Sequence, residues 1–293
     1  MHLGPALAII CLLWSSAGAW AGDGQARFAG RYAWSVNEDW FGGFSGLELD
    51  ASGTRLTAIS DRTSIVTARI KRRNGRIAGI SLQSRNQLRA ASGKKLFGRG
   101  GDAEGLAAGP GASVFVSFEG VHRISLYPSP DGTPRPLPRP RAFRGLHPNG
   151  SFEALARDVQ GRLYTLPETS RDADGQIPVF VWDGRVWGQP FALQPRGRFK
   201  PAGADFGPDG RFYLLERTVG LFGFRSRVRR WEIGPTGATN EATLLVTRAG
   251  THDNLEGLSV WRDRAGRLRA TMISDDNFNF FQTTELVEYL LPE

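Results

Sequence analysis

The stretch that decides the fold is Asp102-Ala103-Glu104-Gly105-Leu106-Ala107, followed by Ser113-Val114-Phe115-Val116-Ser117-Phe118-Glu119. The alternation of apolar and polar residues predicts two short β-strands joined by a glycine-containing turn. One carboxylate opens the first strand and another closes the second. Because the strands of an antiparallel hairpin run in opposite directions, both carboxylates lie at the same end of the hairpin.

The same pattern is repeated in four other parts of the chain, at residues 44–62, 152–169, 202–217 and 254–276. A small residue follows the opening position in every copy, and these residues are Gly46, Gly105, Ala154, Gly203 and Gly257. Their spacings of 59, 49, 49 and 54 residues are close to the ~50-residue period of kelch-like propeller blades. A repeat of this length indicates sheets arranged radially around an axis.

The repeat predicts an all-β fold, a β-propeller of five four-stranded blades that occupies residues 22–293 as a single domain. The last repeat supplies only three strands. The N-terminal strand at residues 27–36 provides the fourth, which closes the ring and removes exposed sheet edges. Six blades are the alternative, if residues 63–101 contain a degenerate blade.

Two outer strands are predicted outside the repeated hairpins. A strand near residues 140–145 follows the proline-rich loop at 128–140 and completes the second blade. The run at residues 224–230 alternates arginine with other residues. This alternation predicts an outer strand whose charged face is exposed to solvent.

The first 21 residues contain no Asp, Glu, Lys or Arg, and their apolar segment at 7–14 precedes Ala19-Trp20-Ala21. This pattern predicts a cleaved signal peptide and a periplasmic or secreted mature chain, with an uncleaved anchor as the alternative. The single cysteine, Cys11, lies in this segment, so the mature chain has neither disulfides nor a cysteine-ligated zinc. No second apolar run is long enough for a transmembrane helix.

The net charge of +8 favours an anionic partner, either a small-molecule substrate or an acidic envelope polymer. The alternative explanation is that the chain uses arginine wherever it needs a cation, and that the positive charge only keeps the protein soluble. No nucleic-acid-binding motif is present, so nucleic acid is not an expected partner. We expect a monomer.

The acids of the repeat supply the candidate chemistry. The opening positions hold Ser45, Glu104, Glu153, Ala202 and Glu256, and the closing positions hold Asp61, Glu119, Glu168, Glu216 and Asp275. If the first strands line the axis, up to eight carboxylates point into one mouth. Such a set requires a cation, arginines or raised pKa values.

A divalent cation is one way to neutralise these carboxylates, and the alternative is pairing with arginines. The predicted metal ligands are Glu104, Glu153, Glu256, Asp275, Asp102 and Asn254. A set made only of oxygen donors favours Ca²⁺ over zinc.

Candidate catalytic residues lie next to the same positions. His252 precedes the fifth repeat and could transfer a proton, and Glu119 or Glu168 could act as the base. Arg62 and Arg217 could hold an anionic group. His147 lies at the same edge. Ser45 does not belong to a G-x-S-x-G nucleophile motif.

The segments GGFSGLELD, DAEGLA, FEALA, PAGADFGPDGRFYLLER and NLEGLSVWRD, with the closing block ISDDNFNFFQTTEL, resemble a bacterial exported family. This is the phytase-like family, described as "esterase-like activity of phytase". The resemblance implies a β-propeller that hydrolyses phosphoesters or esters, and the true β-propeller phytases are calcium-dependent. The phosphate-binding lysines and arginines of those phytases are not matched here. The chain is also distantly similar to propeller lactonases, which hold one divalent metal with Glu, Asn and Asp.

The residues and the resemblance together predict a periplasmic hydrolase that acts on phosphoesters or other small esters with a divalent cation. Two alternatives stay open. One is a non-catalytic propeller that binds an envelope partner or a small ligand, since propellers serve many unrelated functions. The other is a propeller lactonase.

Overall fold

The computed structural model describes residues 24–147 and 150–293, so the predicted signal peptide at 1–21 lies outside the described residues. Twenty strands form five antiparallel four-stranded sheets. The first strand of each repeat contacts the first strand of the next repeat, and the fifth contacts the first. The sheets are therefore the blades of a closed ring, which confirms the predicted five-bladed β-propeller.

The strands follow the repeat blade by blade. The N-terminal strand is β1 (Arg27–Ala33). Blade one contains β2 (Phe44–Leu49), β3 (Arg55–Ser60), β4 (Ser64–Arg73) and β5 (Arg76–Gln87). Blade two contains β6 (Ala103–Ala108), β7 (Val114–Phe118), β8 (Arg123–Tyr127) and β9 (Arg135–Pro136). Blade three contains β10 (Ala154–Arg157), β11 (Leu163–Leu166), β12 (Ile177–Trp182) and β13 (Trp187–Leu193).

The last two blades complete the ring. Blade four contains β14 (Lys200–Phe206), β15 (Phe212–Gly220), β16 (Gly223–Gly234) and β17 (Gly237–Val246). Blade five contains β18 (Asn254–Arg262), β19 (Leu268–Asp275) and β20 (Glu285–Leu290). Its fourth strand is β1, which pairs with β20 from Arg27 opposite Leu290 to Ala33 opposite Glu285. The prediction that the N-terminal strand closes the ring is confirmed.

The small residue of each repeat is required where the inner strands meet. A Cβ atom at Gly203 would lie 2.2 Å from the carbonyl oxygen of Glu256, and one at Gly257 would lie 2.8 Å from the Cβ of Leu47. These neighbours belong to the next blade. A larger side chain at these positions would push adjacent blades apart, because a packed interior has little free space. The glycine is therefore repeated because the inner strands lie too close together at the axis for a side chain.

Two sequence-based expectations about the outer elements were wrong. The six-blade alternative fails because residues 63–101 contain the long β4–β5 hairpin, a loop and the 3₁₀ helix Gly98–Gly100. The predicted strand at 140–145 is instead a 3₁₀ helix, Arg141–Gly145, and the edge of blade two is β9. Proline is tolerated there because an edge strand needs only one ladder of hydrogen bonds. No helix within the described residues is long and apolar enough to cross a bilayer.

The arginine-rich strand β16 is also not a solvated strand. Arg227 and Arg229 are buried, and the Nε atom of each donates to Oε2 of Glu216 at 2.7 Å. The Nη2 atom of Arg229 donates to Oε1 of the same carboxylate at 2.6 Å. Nη1 of Arg229 also donates to Oε1 of Glu241 at 3.1 Å. The two buried guanidinium groups of blade four therefore share the fully buried carboxylate of Glu216, and Arg229 has Glu241 as a second partner.

We predict that Glu216→Gln destabilises the protein by about 3–5 kcal/mol, because the substitution removes the acidic partner of Arg227 and leaves the buried Arg229 with only Glu241. Equilibrium unfolding in urea measures the change. The matched variant Glu293→Gln removes an exposed carboxylate that lies 2.7 Å from Arg262, and it should leave the unfolding midpoint unchanged. Equal midpoints for both variants would show that the buried cluster does not stabilise blade four.

Candidate functional site

The register of the inner hairpins determines which side chains reach the mouth. The small residue of the first strand pairs with Ile59 in blade one, Leu166 in blade three, Leu215 in blade four and Ile273 in blade five. The residue two positions beyond that partner lines one cavity in these four blades, and Glu119 lines the same cavity in blade two. These residues are Asp61, Glu119, Glu168, Arg217 and Asp275. Both ends of the repeated hairpin therefore meet at a common opening, as the sequence predicted.

Blade four departs from the prediction. Glu216 was expected to close its second strand at the mouth, but it pairs with Pro201 and contacts the arginines of β16. Arg217 faces the cavity instead. Successive side chains of a strand point to opposite faces, so an error of one residue exchanges the buried and the mouth-facing positions. The ring therefore has a guanidinium group where the other blades have an acid.

Three of the opening positions bring buried carboxylates together. Glu104, Glu153 and Glu256 are all buried, and each offers a carboxylate oxygen within 4.8 Å of the others. Blade one contributes Ser45 at this position, and its hydroxyl donates to the carbonyl oxygen of Ala103 at 2.6 Å. Three adjacent carboxylates thus converge on the axis, and the serine is used to join two blades.

A second group of carboxylates extends this cluster towards the rim. Oxygens of Asp102, Glu104 and Glu119 also lie within 4.8 Å of one another. The whole cavity has a volume of about 520 Å³. Its acidic lining residues are Asp61, Asp102, Glu104, Glu119, Glu153, Glu168, Glu256 and Asp275. Its basic lining residues are Arg217 and Lys200, so full ionisation would leave six negative charges in excess.

This excess charge perturbs the carboxyl groups. Burial and the neighbouring Glu153 raise the pKa of Glu104 well above its usual value. Burial raises the pKa of Glu256 to about 8, against the lowering effect of Arg217. Burial and the neighbouring Asp102 raise the pKa of Glu119 to about 7. Burial and the neighbouring Asp275 raise the pKa of Asp61 to about 7. The cavity therefore retains protons near neutral pH when no cation is bound.

Arg217 and Lys200 offset the negative charge on only one side of the cavity. Nη2 of Arg217 lies 3.1 Å from Oε1 of Glu256 and 3.5 Å from Oε1 of Glu168. Lys200 Nζ lies 3.4 Å from Oε2 of Glu168. Burial alone would lower the pKa of Arg217. Glu256 and the other carboxylates have the opposite effect, and the pKa of Arg217 is raised. Blade four therefore forms a basic sector beside the carboxylates of the other blades.

An unpaired buried oxygen indicates that the carboxylate cluster fits a cation. Asn254 lines the cavity, and its Nδ2 donates to Oε1 of Glu256 at 2.8 Å. Its Oδ1 is buried and has no hydrogen-bond partner among the described residues. A buried acceptor without a donor is costly. Asn254 therefore adds an unpaired amide oxygen to a cavity lined by Glu104, Glu153 and Glu256, and carboxylate and amide oxygens are donors that suit Ca²⁺.

Two predicted catalytic residues do not line the cavity. His252 is buried within blade five, where its Nε2 lies 2.7 Å from the hydroxyl of Tyr289. Arg62 stacks on Phe278, with its Cζ 3.3 Å from the ring centroid. Neither side chain is placed for the predicted role in proton transfer or anion binding. His147, the other histidine considered from sequence, does line the cavity.

Lys200 is the lining residue that the sequence reasoning missed. It lies three residues before Gly203, at the offset that Asp102 and Asn254 have before Gly105 and Gly257. All three residues line the cavity. Extending the repeat alignment by three positions towards the N-terminus would have identified it.

A protein-family comparison agrees with this architecture. The family model "Phytase-like: Esterase-like activity of phytase" matches residues 39–278. The chain belongs to this family. The matched range runs from the loop before blade one into the loop after β19, and so includes every carboxylate that lines the cavity. No curated protein matches this phytase-like chain by sequence.

Solved structures show how widely the architecture occurs. An α-L-arabinofuranosidase from Podospora anserina is 12% identical, with a TM-score of 0.54 over 91% of this chain and 97% of that one. A glycoside hydrolase family 62 α-L-arabinofuranosidase from Coprinopsis cinerea is also 12% identical, with a TM-score of 0.54 over 92% and 97%. At this identity the similarity concerns the fold of the phytase-like protein alone.

We predict that the melting temperature of chelator-treated protein falls as the pH rises from about 5 to about 8, because raised carboxyl pKa values make the folded state bind more protons. Each such carboxyl is protonated in the folded chain where it is already ionised in the unfolded chain, so raising the pH favours unfolding. Calorimetry measures the trend. The double variant Glu104→Gln with Glu256→Gln should show a flatter profile, and a steeper or unchanged profile would contradict the assignment.

Proposed function

We propose that the protein is an exported hydrolase that uses a divalent cation, most suitably Ca²⁺, to cleave phosphoesters or other small anionic esters. The supporting observation is the convergence of Glu104, Glu153 and Glu256, with oxygens within 4.8 Å of one another, beside the unpaired oxygen of Asn254. Membership of the phytase-like family supports the reaction class. The signal-like segment at 1–21 supports a periplasmic or secreted location.

Glu104, Glu153, Glu256 and Asn254 would hold the cation, and Asp275 would hold the amide of Asn254 in place. Asn254 Nδ2 lies 3.5 Å from Oδ2 of Asp275, which in turn accepts from the backbone amide of Asn277 through Oδ1 at 2.7 Å. The cation would supply Lewis-acid polarisation of the ester. It would also replace the protons that the crowded carboxyl groups otherwise retain.

Arg217 and Lys200 would bind the anionic part of the substrate. They are the basic residues of the described cavity lining, and both already contact the carboxylate of Glu168. A guanidinium group matches the geometry of two phosphate oxygens, while the lysine supplies a point charge. Glu168 therefore orients the two basic groups, which leaves the role of base to another acid.

Glu119 is the best-placed general base. One of its carboxylate oxygens accepts from the backbone amides of Gly150 and Ser151, which fixes its orientation at the cavity wall. Its pKa of about 7, raised by burial and by Asp102, is close to the value that a base needs at neutral pH. Glu119 would take a proton from the attacking water and return it to the leaving group.

We predict that Ca²⁺ stabilises the protein through the carboxylate cluster. A concentration one hundred times the dissociation constant should add about 2.7 kcal/mol, or roughly 5 °C in melting temperature. Differential scanning fluorimetry with and without EDTA measures the shift. Glu104→Gln with Glu256→Gln should abolish it, whereas Asp172→Asn should not, because Asp172 accepts backbone hydrogen bonds within a surface turn. An equal shift in both variants would place the cation elsewhere.

We predict that Glu119→Gln lowers kcat by about 10²–10⁴-fold, the contribution expected of a general base. The assay uses p-nitrophenyl phosphate, bis(p-nitrophenyl) phosphate, p-nitrophenyl acetate and a small lactone, each with Ca²⁺ and with EDTA. The matched control His252→Gln should retain activity, since His252 lies away from the cavity. Arg217→Lys should mainly raise KM for the anionic substrates.

The same set of assays distinguishes between the alternative functions. Cleavage of the lactone alone would support a propeller lactonase. A Ca²⁺-dependent melting shift without turnover of any substrate would support a non-catalytic binding protein. Hydrolysis that persists in EDTA and in the Glu104→Gln, Glu256→Gln variant would exclude the cation-dependent mechanism.

A further inference from the structure

The face that contains the cavity also carries exposed apolar side chains at three separate places. The first is the tip of the β15–β16 hairpin, which continues past Arg217 to the terminal pair of Gly220 and Gly223. Leu221 is 99% exposed and Phe222 is 83% exposed at this tip. Phe224, which follows them, lines the cavity, so the tip projects from the rim of the cavity into solvent.

The second place is the loop that joins β19 to β20 in blade five. This loop leaves the cavity at Asp275 and Asn277, both of which line it. Phe280 and Phe281 are 87% and 80% exposed, and their ring centroids are 3.8 Å apart. The pair is therefore a projecting aromatic cluster that packs mainly on itself.

The third place is Phe97, which precedes the 3₁₀ helix Gly98–Gly100 and is 71% exposed. This segment leads directly into Asp102 of the cavity. It belongs to the connection between blades one and two, whereas the other two tips belong to blades four and five. The three tips therefore lie at separate points of the rim, on blades four and five and between blades one and two.

Exposed basic residues accompany these tips. Lys94, Lys95 and Arg99 flank Phe97 in the sequence. Arg198 and Arg225 lie beside the blade-four tip, and Arg62 lies beside the blade-five loop. The exposed acids in the loops of the same face are fewer, and they include Glu38, Asp39 and Asp174. Most carboxylates of this face lie inside the cavity. The rim thus offers positive charge to a surface that approaches it.

We propose that this face docks on an anionic lipid bilayer, with the three tips inserted among the headgroups and the cavity open to the membrane surface. Aromatic and aliphatic tips with nearby lysines and arginines are the combination that binds the membrane interface. The tips are separated, whereas a stable protein–protein interface has a contiguous apolar core. A bilayer accepts separate insertions because it is fluid.

The test is co-sedimentation of the purified protein with vesicles of phosphatidylcholine and phosphatidylglycerol in equal parts. Vesicles of phosphatidylcholine alone serve as the neutral reference. We predict binding to the anionic vesicles that weakens with added salt. Leu221→Ser with Phe222→Ser, and separately Phe280→Ser with Phe281→Ser, should each reduce vesicle affinity at least about tenfold.

The matched control is Val159→Ser with Val186→Ser. These valines are exposed in the turns at the opposite ends of the blade-three strands, and their replacement should not change vesicle binding. Unchanged melting temperatures would show that all variants are folded. Binding should also persist in Glu119→Gln, because docking does not require turnover.

Three results would overturn the proposal. The first is absence of binding to anionic vesicles, and the second is binding that neither pair of tip substitutions reduces. The third is concentration-dependent self-association that the tip substitutions abolish while vesicles remain unbound, which would assign the face to a second copy of the chain.

Discussion

The structure depends on the close approach of five inner strands at the propeller axis. Glycine at Gly203 and Gly257 allows one blade to touch the next at distances that no Cβ would permit. The residue immediately before each small residue is thereby brought against its counterparts from neighbouring blades. In three blades that residue is a glutamate, so the packing that closes the ring also forces three carboxylates together. Their repulsion is a local cost that the rest of the fold must offset.

The parts of this arrangement that the sequence predicted are those whose cause is local. The small residue and the acid before it stand next to each other, and both recur because each blade meets the axis in the same way. Glu104, Glu153 and Glu256 could therefore be assigned to one site without coordinates. The closing strand was predictable because the last repeat lacked a fourth strand, and an unpaired sheet edge needs a partner.

The parts that could not be predicted depend on the direction of single side chains. Glu216 and Arg217 are adjacent and both charged, so composition cannot decide which one faces the cavity, although the pairing of Gly203 with Leu215 does. The same limit applies to His252 and Asn254. They are two residues apart, yet one ring turns to Tyr289 and the other side chain turns to Glu256.

The basic residues of blade four make the distribution of charge in the cavity asymmetric. A ring of five identical acids would attract cations from every side and repel an anionic ester. Ala202 removes one acid from the opening positions, and Arg217 replaces another at the closing positions, while Lys200 adds a second positive charge. The carboxylates of blades two, three and five thus face a basic sector. Such a divided cavity fits the proposed pairing of a cation with an anionic substrate, because each charge would lie against residues of opposite sign.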